Sequence, residues 1–222
     1  MYSKLGNELS VLVLSCDKYS HLLPYFTTVF DKYWGLKNIC KKYIVTESTI
    51  VEHDDYIPIL TNESNWTLAT AMALSQIQTP YVFLILDDFL LWREFPAADI
   101  YEGLSIIKEA ALDKFVYHYP HAVFDNKLEP TKYGASIGKI RQDSEYTMTV
   151  QPSIWNVDFF KKCLFETESP WEFEINGSER VNSTMTHKIY MKTIPYGYHI
   201  EAMTRGQLTE QFHNLIQVEN LI

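Results

Sequence analysis

Six consecutive apolar or aromatic residues, Tyr81 to Leu86, run directly into two adjacent carboxylates, Asp87 and Asp88, and no other stretch constrains the fold as tightly. An uninterrupted apolar run of this length predicts a strand covered on both faces, and Thr79-Pro80 separates it from a helix predicted over Asn65 to Gln78. In open α/β sheets ligands gather in the crevice outside the carboxyl ends of the strands, which is where Asp87 and Asp88 fall. Two neighbouring acids are costly to bury without a cation. The pair therefore points to a divalent metal carrying a phosphate ester, the other reading being a loop-entry turn in which one Asp caps a backbone group.

The residues before this strand alternate between strand and helix patterns. Leu9 to Ser15 predicts a first buried strand, followed by a polar turn at Cys16 to Ser20 and a helix with Leu22, Phe26, Phe30 and Tyr33 on one face. Tyr43 to Thr46 and Ile57 to Leu60 predict two further strands around the acidic loop Glu52 to Asp55, and Ala69, Ala71 and Ala73 would let the next helix pack closely. This order predicts an α/β fold, with a Rossmann-like, mostly parallel central sheet and helices on both faces. Farther on, Ile100, Leu104, Ile107 and Ala111 mark an amphipathic helix, Phe115 to Tyr119 and Gln151 to Trp155 strands, and Val157 to Leu164 a short helix. Tyr190 to Ile194 predicts a return to the sheet and the tail a last helix, while Lys127 to Ser144 carries no clear period.

With 222 residues, 46% of them hydrophobic, and no linker-like stretch, the chain is expected to form one domain, 1–222. A net charge of -9 argues against nucleic acid or an anionic membrane as the main partner. Cys16, Cys40 and Cys163 form neither a disulfide framework nor a zinc pattern, and no apolar run has secretory or transmembrane length, so a cytoplasmic location is expected.

Three short segments occur in order: Ser15-Cys16-Asp17-Lys18-Tyr19, Leu86-Asp87-Asp88-Phe89, and Ser169-Pro170-Trp171-Glu172-Phe173-Glu174. With the order of elements, they resemble the GT-A fold glycosyltransferases, in particular small bacterial polysaccharide-type members with an LDDF motif in place of a full Asp-x-Asp. The resemblance implies a nucleotide-sugar-binding half over residues 1–90 and an acceptor-binding half over 91–222. It further implies inverting, hexosyl-type transfer from a nucleotide-diphosphate sugar to a glycan or lipid-linked acceptor in surface polysaccharide biosynthesis, with peripheral membrane association allowed. Donor contacts would come from Cys16, Asp17, Glu47, Asn65, Asp87 and Arg205, and Mn²⁺ or Mg²⁺ would sit on Asp88 and His199. Glu172 would be the base, with Glu174 as the alternative.

Several of these residues have a second reading. Asp17 could cap the helix that follows it, and Ser169-x-x-Glu172 with Pro170 at the first helical position is also a capping box. Trp171 could wall a sugar or belong to the core; His118 and His121 could line the acceptor site; His187 and His213 read as surface residues. Phe89 stands where an Asp-x-Asp motif would have its second acid, which keeps open a catalytically inactive nucleotide-sugar-binding module of the same fold. A sugar nucleotidyltransferase is a further alternative, but the Gly-rich basic loop it should carry after the first strand is missing.

Overall fold

The computed structural model describes residues 5–117, 128–165, 167–193 and 197–221; His118 and His121 lie outside them. Among the described residues the strands, in chain order, are β1 (Leu9–Leu14), β2 (Lys42–Thr46), β3 (Tyr56–Leu60), β4 (Tyr81–Leu86), β5 (Phe89–Leu91), β6 (Lys114–Val116), β7 (Leu128–Pro130), β8 (Ile137–Ile140), β9 (Ser153–Asn156), β10 (Ile189–Lys192), β11 (His199–Glu201) and the short pair β12 (Met203–Thr204) and β13 (Gln207–Leu208). A main sheet joins nine of them in the order β3-β2-β1-β4-β9-β6-β10-β8-β7. β3, β2, β1 and β4 are mutually parallel. β9 opposes both β4 and β6, β10 follows β6, and β8 opposes β10 and β7. Within this sheet only β9 and β8 run against the rest, so it is mostly parallel, as the sequence predicts.

Side-chain alternation turns one sheet into two cores. Leu9, Val11 and Val13 of β1 share one core with Phe83 and Ile85 of β4, while Leu12, Leu14, Val82 and Leu84 enter the other. Helices Leu23–Tyr33 and Ala97–Glu109 cover the first face, and helices Trp66–Gln76 and Val157–Cys163 the second. Along Leu23–Tyr33 the helical period stacks Phe26 on Phe30 and Phe30 on Trp34, and Trp34 meets Phe83 of the central strand at 4.6 Å between ring centroids. Burial of each such side chain contributes about 1.5–3 kcal/mol, which fixes β4 in the interior and its carboxyl end at the rim.

Some expectations shift. The face that helix Trp66–Gln76 buries is Thr67, Thr70, Ala73 and Leu74, because the 3.6-residue period, and not residue size, selects it; Ala69 and Ala71 are half-buried. His187 is no surface residue: it is 3% exposed, with Nε2 3.0 Å from Asn182 Oδ1. Lys127 to Ser144 contains β7 and β8, too short to show a period. Beyond Asp88 the chain leaves the main sheet, and β5 pairs antiparallel with β11, setting Phe89 opposite Glu201 and Leu91 opposite His199. Among the described residues, no helix is long and apolar enough to cross a membrane.

Candidate active site

Because β1, β2 and β4 are parallel and in register, their carboxyl ends open on one edge of the sheet. Ser15, the first residue past β1, donates from Oγ to Asp87 Oδ2 at 2.5 Å. Next to it, burial pushes the Cys16 thiol up, the fields of Asp87 and Glu47 adding to the effect. Asp17 does not cap a helix. Its carboxylate accepts from the Ser48 amide at 3.1 Å, the Ser48 hydroxyl at 2.5 Å and the Thr49 amide at 3.0 Å, while its own amide donates to Glu47 Oε2 at 2.7 Å. These bonds, led by the Ser48 hydroxyl, hold its carboxyl far below the usual range. Asp17 and Glu47 thus clasp the first two strand-end loops together.

Asp87 is 5% exposed, and burial pushes its carboxyl up to about 8, Ser15 opposing and Asp88 reinforcing the shift. Asp88 is pushed to about 7, again by burial first and then by the field of Glu201. Asp88 Oδ1 is buried and has no hydrogen-bond partner among the described residues. A carboxylate oxygen left in that state is what a divalent cation satisfies, so the residues present fit a metal. Phe89 itself is 5% exposed and packs on His199 at 4.8 Å between ring centroids. Residue 89 therefore serves the core.

Protons held by this pair give the ligand-free protein a pH signature. At neutral pH the folded chain keeps protons that unfolded carboxyls, near 3.8, have already released. Stability is then lost as pH rises toward about 8. Between pH 6.5 and 8 the buried His187, held down to about 4 in the fold, no longer opposes this trend. The buried Lys114, held well below the usual range, pulls the other way, so the carboxyl contribution is read as a difference: over that interval the melting temperature of Asp87→Asn, which can still accept from Ser15, should fall less or rise more with pH than that of wild type. An unchanged slope in the variant would assign it elsewhere.

Farther along the chain, a helical run passes from Pro170–Glu172 through a π turn at Phe173–Gly177 into Ser178–Thr184. Its start is pinned to helix Trp66–Gln76: the Thr67 amide donates to Glu168 O at 3.3 Å and the Glu168 amide to Thr67 Oγ1 at 3.1 Å. Trp66 lies 5.2 Å from Phe173 between ring centroids, and the buried Glu168 pairs with both terminal nitrogens of Arg180. Asn65 caps the Trp66 helix, its Oδ1 accepting from the Leu68 amide and the Thr67 hydroxyl.

Glu172 and Glu174 differ sharply. Glu172 is exposed and closes the capping box, with Oε2 accepting from the Ser169 amide at 2.8 Å and hydroxyl at 2.7 Å; those bonds hold its carboxyl down. Glu174 turns inward, and its Oε1 accepts from Thr149 Oγ1 at 2.8 Å and the Val150 amide at 2.7 Å. Burial pushes its carboxyl up, the two bonds and Lys114 oppose the shift, and Glu201 adds to it. Lys114 is fully buried, with Nζ 4.0 Å from the Trp155 ring centroid and bonded to Thr149 O at 2.5 Å, and burial pushes its ammonium well below the usual range.

Of the other residues the sequence singles out, His199 is half-buried on β11, and Trp171 is 74% exposed and outside the core. Arg205 is exposed in a two-residue hairpin turn between Met203–Thr204 and Gln207–Leu208; Arg205 and Gly206 both adopt positive φ there, 50° and 78°. Cys16, Asp17, Glu47 and Asp87 come together at the strand-end rim, and Asp88 and Glu174 both feel Glu201. Sequence reading passes over Ser15, Lys114, Thr149 and Glu201. For Glu201 there is one usable signal: it stands two residues past His199 and shares its face of the strand.

The fold, a single α/β domain on a mostly parallel sheet, is GT-A-like and is shared with solved glycosyltransferase structures at low sequence identity. Residues 1–349 of the S. aureus glycosyltransferase TarS are similar over 96% of this chain and 64% of that one, with TM-score 0.55 and 11% identity. The same TarS segment in complex with UDP matches over 84% and 60%, with TM-score 0.54 and 13% identity, and the longer TarS structure over 96% and 39%, with TM-score 0.55 and 13% identity. This chain thus spans less than two thirds of each of these structures. No protein-family profile matches it, and no curated protein sequence does.

Proposed function

We propose that this chain transfers a sugar, with inversion, from a nucleotide-diphosphate donor to a hydroxyl of a glycan or lipid-linked acceptor, in surface polysaccharide assembly. The observation that carries the reading is that two carboxyl sites are linked by one acid, Glu201, whose field reaches both. The central strand ends in Asp87 and Asp88, the latter with an oxygen that is buried and unpartnered among the described residues, while Glu174 is raised in proton affinity and held by Thr149 and Val150. Mn²⁺ or Mg²⁺ held by Asp88, with His199 on the neighbouring strand, would supply positive charge to the departing diphosphate. Asp87 fixes the rim through Ser15, and Asp17 and Glu47 hold the loops that would flank the nucleoside. Glu174 takes the acceptor hydroxyl's proton as that oxygen bonds to the anomeric carbon and the bond to the diphosphate breaks. Glu172, engaged as a cap, is left to the helix start.

UDP in one of the similar structures makes it the first nucleotide to try. Thermal shift with UDP, ADP, GDP and CDP, in Mn²⁺ or in chelator, is expected to single out one nucleotide, with about 2.7 kcal/mol of added stability at a hundred times its dissociation constant. No response to any of them would overturn the reading. Burial of Phe89 favours one other reading, a nucleotide-sugar-binding module without turnover. Tight donor binding with neither transfer nor donor hydrolysis would select it.

A further inference from the structure

We propose that Glu201 is the second carboxylate of the divalent-cation site, working with Asp88 in place of the acid that Asp-x-Asp spacing would put at residue 89. The inference rests on the donor-site reading above. The register of β5 and β11 sets Glu201 directly opposite Phe89, and the next residue, Ala202, donates its amide to Asp88 O at 2.7 Å. The strand that adjoins the acidic turn therefore brings its own acid to the position where the sequence of that turn has a phenylalanine. Phe89 cannot be exchanged for a ligand without emptying a core site, whereas Glu201 is exposed and free to orient.

Charge accounts for the rest. The Glu201 field reaches both Asp88 and Glu174, so ionising either carboxyl meets the same repulsion. Lys114 lies on the Glu174 side, and its Nζ is taken by the carbonyls of Thr147 and Thr149. Asp88 Oδ1 stays buried and unpartnered among the described residues. A divalent ion between Asp88 and Glu201 would satisfy that oxygen and offset the repulsion, keeping several waters and donor oxygens as such ions do. The contrasting acid–histidine group, Asp31, His53 and Asp55, already has a cation, since Lys42 Nζ sits 2.5 Å from Asp31 Oδ1.

Mn²⁺ binding, read by the loss of free-ion EPR signal with and without UDP, tests the assignment on wild type, Glu201→Gln, Asp88→Asn and Glu172→Gln. Glu201→Gln is expected to weaken Mn²⁺ binding by about 10–100-fold while UDP binding in chelator and the melting temperature hold, and Glu172→Gln to change nothing. The weakening should persist in about 0.5 M KCl, because a lost ligand is not screened while a lost distant charge is. If Asp88→Asn loses Mn²⁺ and Glu201→Gln does not, or its effect vanishes in salt, the role of Glu201 is overturned and the donor site stands. If wild type binds neither Mn²⁺ nor UDP, both fall.

Discussion

Glu174→Gln is expected to leave the protein folded and its nucleotide affinity intact while sugar transfer drops by about two to four orders of magnitude. The amide keeps the size of the side chain and an oxygen for the Thr149 hydroxyl and the Val150 amide, but it has no basic lone pair for a proton. The carboxyl that burial raises in the wild type also sets a pH dependence: turnover should rise with pH along a limb displaced above the ordinary Glu range, since the base works only when ionised. Glu172→Gln is the matched control. It touches only the capping box at the exposed helix start, so transfer should survive and stability change by no more than about 1 kcal/mol. Steady-state rates, donor affinity and melting temperature for the two variants decide between the carboxylates. A full rate in Glu174→Gln with a collapse in Glu172→Gln would move the base two residues back.

Asp88→Asn should act at the strand-end rim and through a different quantity. Nucleotide binding in Mn²⁺ is expected to fall to its level in chelator, and transfer by about a hundred- to a thousandfold, the loss that follows removal of one element of charge stabilisation at a leaving group. The ligand-free protein should be no less stable, and the carboxyl's raised proton affinity gives the reason: ionised Asp88 is disfavoured by burial and by Glu201. Calorimetric titration with nucleotide in Mn²⁺ and in chelator, beside a melting curve, separates the outcomes. Metal-dependent binding that survives unchanged would remove Asp88 from the site.

The pattern of apolar residues was enough to identify the central strand, its carboxyl-terminal acids, the parallel strands around it and the helices on both faces. Those elements are local: Tyr81 to Leu86 is apolar throughout because both faces are covered, and Asn65 and Ser169 mark helix starts through bonds spanning three residues. Motif order likewise brought Asp17, Glu47, Asp87 and Glu174 into view as candidates. Their division of labour was not legible. Glu172 and Glu174 belong to one short motif, and only the packing of Thr149 and Val150 against the helical run separates a cap from an inward-turned carboxyl whose proton affinity burial raises. Asp17 has the neighbours of a cap in sequence, yet it spends its carboxylate on Ser48 and Thr49, a loop brought near by the pairing of β1 with β2. Glu201 carries only a faint local sign, its spacing from His199, because its place opposite Phe89 depends on the register of two three-residue strands far apart in the chain, each too short to show a period. Hydrophobic periodicity and caps act over a few residues and can be read from the chain; burial and the fields that shift these carboxyls arise between distant segments and exist only once the sheet has formed.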